Sequence, residues 1–251
     1  MITRHKLPFV LLGFLLCFSS IIAQAGDAQQ DAKAIEVLKQ MAAHKSSLDK
    51  VTIKGVTFTD ARLGAGLMVS NSEEVHLSID RPGSMYISSF DGETKKGLYF
   101  HDGLLTVYNS EKNLYAQANI PKDIDAAVEF ALEELNVEAP LLDMIYQDAA
   151  DHLINSDETI LYLTDKSRVG GADCHHIAIR SAEADIQLWV EEGDSPMVRK
   201  IMITSKWEGG SPRFITNLHW DTSPKFEPGQ FEFKAPEGAF KIEFVTGSSE
   251  K

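Results

Sequence analysis

Cysteine is almost missing: Cys17 and Cys174 are the only two in 251 residues. Cys17 sits inside an apolar run, Leu7 to Ala23, that follows Arg4 and Lys6 and ends in Ala23-Gln24-Ala25. A charged start, a greasy middle and a small-residue end are the pattern of a cleavable secretory leader, and they predict cleavage after Ala25 into an oxidising, extracytoplasmic compartment. Leu16 is too bulky to precede a lipid-modified cysteine, so Cys17 is read as discarded with the leader. Cys174 then stands alone, which excludes an internal disulfide. Stability has to come from burial of apolar surface, and a chain of this length can supply it.

Positive charge is also scarce. There are 37 acidic residues against 24 basic ones, a net charge of −13, and the balance becomes −15 once Arg4 and Lys6 leave with the leader. Such a surface repels phosphate backbones, so nucleic acid is not an expected partner.

Catalytic signatures are missing as well. The chain has no G-x-S-x-G elbow, no H-E-x-x-H and no phosphate-binding glycine loop with its lysine. Gly64-Ala65-Gly66 opens like a dinucleotide fingerprint but lacks the third glycine, and a hairpin turn accounts for it. Glu73-Glu74, Glu133-Glu134 and Glu191-Glu192 are adjacent pairs, which suit solvated faces better than an acid/base couple. Cys174-His175-His176 is the cluster with metal-ligand chemistry. In a strand, Cys174 and His176 share one face and His175 takes the other. Two ligands do not close a zinc site, and nothing in the spacing selects His76, His101, His152 or His219 as further ones. The expectation is a protein without catalytic residues, metal or cofactor, and not an enzyme.

What is present is period-two alternation. Val75, Leu77 and Ile79 alternate with His76, Ser78 and Asp80, and Met85 and Ile87 resume the apolar face after Arg81-Pro82-Gly83. Asp102-Gly103 between two β-rich runs predicts a tight type I′ hairpin. Arg81 falls on the apolar face if the register holds through Pro82, and an inward guanidinium needs partners. Helical spacing predicts one helix over 31–45, a second over 124–136, a short third over 141–146 and a continuation over 148–154. A kink is expected at Asn71–Glu74. Later strands are expected over 160–164, 174–180, 186–191, 198–206, 214–220 and 231–233. The fold class is therefore α+β: about ten or eleven antiparallel strands, an N-terminal helix, and a helical insert over about 121–155 folded onto the sheet of a single domain, 26–251.

The run S78-I-D-R-P-G-S-M-Y86, followed by D102-G-L-L-T-V-Y108 and the ending F231-E-F-K-A-P-E-G-A239, resembles periplasmic lipoprotein carriers of the LolA type. The segments A34-I-E-V-L-K, P140-L-L-D-M-I-Y, C174-H-H-I-A and D185-I-Q-L-W-V are similar to an exported bacterial domain family of unassigned function. The resemblance implies an incompletely closed antiparallel β-barrel whose helices lid a hydrophobic cavity, with Arg81 hydrogen-bonded to the lid. The insert here is acidic (Glu129, Glu133, Glu134, Glu138), and Cys174-His175-His176 has no counterpart in the carriers.

Together these readings give a periplasmic binding protein for a lipid or acyl chain, such as that of a lipoprotein. Val75, Leu77, Ile79, Met85 and Ile87 would wall the cavity from the sheet, and Leu141, Leu142 and Ile145 from the insert. The alternative is an envelope interaction or sensing module in which the same residues pack together as a filled interior.

Overall fold

The computed structural model describes residues 31–137, 139, 141, 142, 145, 154, 160–207 and 209–244. The leader at 1–25 lies outside them, as do Glu138, Pro140, Tyr146, His152 and nearly all of the helix expected over 148–154.

Helix α1 (Ala32–Ser46) begins at Asp31, whose carboxylate accepts from the backbone N–H groups of Lys33 at 2.9 Å and Ala34 at 3.3 Å. This satisfies two of the donors that a helix start leaves open. His44 and Lys45 sit in the last turn, where the helix dipole favours positive charge. Ala34, Val37 and Leu38 form its buried stripe. The same Asp31 also fastens the helix to the sheet, since its N–H donates to the Leu161 carbonyl at 3.1 Å.

A meander follows: β1 (Lys50–Arg62), β2 (Met68–Asp80), β3 (Ser84–Phe90), β4 (Lys95–His101), β5 (Leu104–Asn109) and β6 (Leu114–Asn119). Asp102 and Gly103 both have positive φ, 46° and 86°, as a type I′ turn between β4 and β5 requires. Helix α2 (Ile124–Glu133) then starts at the N-cap Asp123. The second half comprises β7 (Ile160–Leu163), β8 (Ser167–Val169), β9 (Ala172–Arg180), β10 (Ala184–Glu191), β11 (Val198–Ser205) and β12 (Arg213–Asp221), with β13 (Phe240–Ile242) last.

The strand order is β13-β6-β5-β4-β3-β2-β1-β12-β11-β10-β9-β7, with β8 paired to β9. Every pair is antiparallel except β13 with β6. The β1–β12 pairing joins the two halves into one sheet, whose ends, β13 and β7, do not meet. The barrel is thus open.

Four details differ from the sequence expectation. The described residues hold thirteen strands, because β8 and β13 have three residues each and are too short to show a period. Residues 231–233 are not a strand; they belong to a C-terminal segment lying across the sheet. Asn71–Glu74 does not kink: it pairs in unbroken register with Thr59–Val56. And α2 stops at Glu133, short of 136, because Asn136 adopts the left-handed region, φ 50°, which asparagine tolerates.

Register assigns the two faces. Trp220, Ile53, Leu77, Ile87 and Leu98 are successive cross-strand partners, all buried, on the side that carries α1 and α2. Their neighbours His219, Lys54, His76, Ser88 and Gly97 form the matching row on the opposite side. The C-terminal segment covers part of that opposite side: Phe233 packs against Tyr99, Tyr108 and Tyr115 at ring distances of 5.4, 5.3 and 5.1 Å. Burial first, and then Tyr86 and Tyr108, push the Tyr99 hydroxyl pKa up.

Candidate functional site

Strand β2 ends at Asp80, and Arg81 turns its side chain toward the insert. Its Nη1 and Nη2 each donate to Asp125 Oδ1 at 3.2 Å, and Nη2 also donates to the Ile145 carbonyl at 2.8 Å. Only 13% of the Arg81 side chain is exposed, against 33% for Asp125. Beside this pair, the N–H of Ile124, the first residue of α2, donates to the Pro82 carbonyl at 3.0 Å. One corner therefore ties the β2–β3 turn, the start of α2 and the chain at Ile145 together.

The eight apolar residues singled out from the sequence all point into the same interior. Val75, Leu77, Ile79, Met85 and Ile87 meet Leu141, Leu142 and Ile145 in one buried cluster, joined by Leu38 from α1 and Val128 from α2. Among the described residues, two small spaces lie between the layers. Ile87, Leu98 and Val107 face Val137 and Ala139 across a pocket of about 130 Å³. Beside Arg81, Val51, Ile53 and Ile79 face Ile145 across about 20 Å³. Since a water molecule takes roughly 30 Å³ of liquid volume, neither space holds an extended acyl chain.

A much larger opening lies on the other face. Even-numbered residues of β1 and β2, with their partners on β3, β4 and β12, surround an open hollow of about 1020 Å³. Val56, Phe58 and Phe90 offer apolar surface there, each between a third and a half exposed. Lys54, Lys95, His76 and His219 supply nitrogen, and Glu74 is the carboxylate among the lining residues. His76 is half-buried, and burial first, then the charges of Lys54 and Lys95, hold its pKa below the usual histidine value. Sequence reasoning missed this site. Its trace was there all the same: Val56, Phe58 and Phe90 are apolar at positions where alternation calls for polar residues.

Cys174 and His176 share a face, but neither is free for a ligand. The Cys174 thiol is buried with Sγ 3.6 Å from the Ala172 carbonyl, and burial chiefly pushes its pKa up. The His176 ring stacks on Trp189 at 4.3 Å, with Nε2 2.9 Å from Gln187 Oε1. His101 Nδ1 lies 2.9 Å from Ser84 Oγ. Among the described residues no three His, Cys, Asp or Glu side chains are grouped to hold a metal ion, and no helix is long and apolar enough to cross a membrane.

No curated protein matches the chain. Several solved structures do, at a distance. A chain of the Pseudomonas aeruginosa MucA/MucB complex is 15% identical with a TM-score of 0.46, over 81% of this chain and 62% of that one, so this chain spans less than two thirds of its length. The Mycobacterium tuberculosis lipoprotein LppX is 12% identical with a TM-score of 0.46, over 78% and 99%. LprF from Mycobacterium bovis is 10% identical with a TM-score of 0.49, over 80% and 99%. The family match is broader: residues 34–245, from the first turn of α1 past β13, fit a single family described as predicted periplasmic protein, and the chain belongs to that family, DUF2092.

Proposed function

We propose that the chain is a non-enzymatic periplasmic binding protein that takes a lipid tail, or the acyl chain of an acylated ligand, between the sheet and the insert. In this reading the leader 1–25 is removed and residues 26–251 act as one domain. The observation that carries it is Arg81. Two apolar layers need no charge to stay together, and a buried ion pair commonly stabilises less than a hydrophobic replacement of the same size. A guanidinium joining the apolar face to Asp125 and Ile145 suits a joint that parts and recloses.

The magnitudes are comparable when a chain enters. Hydrogen bonds to a charged group contribute about 1.5–3 kcal/mol each, and the latch has three, two to Asp125 and one to the Ile145 carbonyl. Burying ten methylenes returns about 8 kcal/mol, the same order as the latch. Val75, Leu77, Ile79, Met85 and Ile87 would then wall the tail on one side, and Leu141, Leu142 and Ile145 on the other.

A fluorescent fatty-acid probe tests this. The expected result is saturable uptake, with faster entry into Arg81→Leu. Absence of uptake by both proteins, with unchanged protection of α2 in hydrogen exchange, contradicts it. The tight packing around the 130 Å³ pocket favours a second reading, an envelope interaction module with a filled interior. Crosslinking to one envelope protein in the periplasm, without bound lipid, would select it.

A further inference from the structure

The hollow on the face away from α1 and α2 plays no part in that mechanism. Its floor is the backbone of β12, β1 and β2, with Gly55 among the lining residues, where a Cβ would stand 2.5 Å from the Asn217 carbonyl oxygen. Two cross-strand rows rise from it. One runs His219, Lys54, His76, Ser88, and the other Asn217, Val56, Glu74, Phe90, Lys95. Phe58 stands one step along β1 beyond Val56.

Three features point to a ligand. The volume, about 1020 Å³, is at the upper end of small-molecule sites, about 300–1,000 Å³. Val56, Phe58 and Phe90 are 38%, 37% and 42% exposed and gather around one opening, where surface apolar residues are normally scattered singly. And the local charge opposes the global one. On a chain of net charge −13, this opening carries Lys54 and Lys95, both near enough to His76 to act on its ring, against the carboxylate of Glu74.

We infer that this hollow is a second binding site, for a single-chain amphiphile with an anionic head, its tail on Val56, Phe58 and Phe90 and its head beside His76, Lys54 and Lys95. The apolar residues fit the tail, which a free phosphate or a sugar does not have. The lysines fit a carboxylate or phosphate monoester, which a neutral detergent lacks. On a chain of net negative charge, two lysines beside one opening are the local feature that would attract an anionic head.

The test is calorimetric titration of the purified chain with dodecyl phosphate below its micelle concentration, with His76 ring resonances followed by NMR. The expected result is saturable binding, with or without occupancy of the interior, that shifts the His76 signals and raises its pKa. Binding should weaken more than tenfold in Lys54→Gln/Lys95→Gln and likewise in Phe58→Ser. These side chains are exposed, and unchanged melting will show that the variants fold. Inorganic phosphate should bind far more weakly, because it lacks the tail. Four results would overturn the inference: unchanged affinity in the lysine variant, equal affinity for dodecyl maltoside, an acidic peptide displacing nothing but itself occupying the hollow, or silent His76 signals while methyl groups beneath the insert shift. The last outcome would place the amphiphile in the site of the proposed function and leave that reading standing.

Discussion

The two faces of one sheet use the same strands in the same register and do opposite things. On one, Ile53, Leu77, Ile87 and Phe100 are buried, and the pockets among the described residues measure about 130 and 20 Å³. On the other, one residue along each strand, Val56, Phe58 and Phe90 stand beside lysines around an open 1020 Å³. In this contrast a clean apolar stripe marks residues that are buried. An opening is marked by apolar residues that break the alternation.

The largest test of this contrast compares phenylalanines across the faces. Phe100 is fully buried, so Phe100→Ala should lower stability by about 3–5 kcal/mol. Phe58→Ala, a third exposed on the open face, should cost less than about 1 kcal/mol. Urea unfolding of both variants reads the difference, and equal costs would erase the distinction.

Next comes the latch. Arg81→Leu leaves Asp125 and the Ile145 carbonyl without their donor and should cost about 3 kcal/mol, with faster hydrogen exchange in α2. Unchanged melting and exchange would show that the joint holds nothing. Gly55→Ala follows at about 1–3 kcal/mol, because the new Cβ meets backbone rather than a movable side chain. Differential scanning calorimetry measures it, and a neutral result would mean that β1 and β12 part freely there.

The smallest effect is on His76. Folding holds its pKa below about 6.5, so the unfolded chain takes up the proton more readily. The contribution of His76 to stability is therefore fully present above about pH 6.5 and is lost as pH falls through that value toward the folded pKa. Lys54→Gln removes one repelling charge and should raise the folded pKa part of the way, since burial is the larger cause. An NMR titration without any rise would place Lys54 away from the ring.

Much of the covered face was legible in the sequence, for local reasons. Alternation from Val75 to Ile87 assigned its residues to one side, the Asp102-Gly103 pair specified the hairpin, and parity turned Arg81 inward. The open face was not legible. It depends on β1 meeting β12, more than 150 positions away in the chain, and no local pattern announces that pairing. Phe231-Glu232-Phe233 illustrates the opposite failure: it alternates like a strand, yet Phe233 is held by three tyrosines from β4, β5 and β6 rather than by a ladder. The length of α2 escaped for a smaller reason, since its apolar stripe continues to Leu135 while the backbone turns at Asn136.

Native mass spectrometry of the chain purified from the periplasm, coupled to organic extraction, tests the binding reading most directly. The account predicts a population heavier than the bare polypeptide by one lipid mass, released by the solvent. A bare mass alone, with no lipid in the extract and no uptake of an added fatty acid, would contradict it.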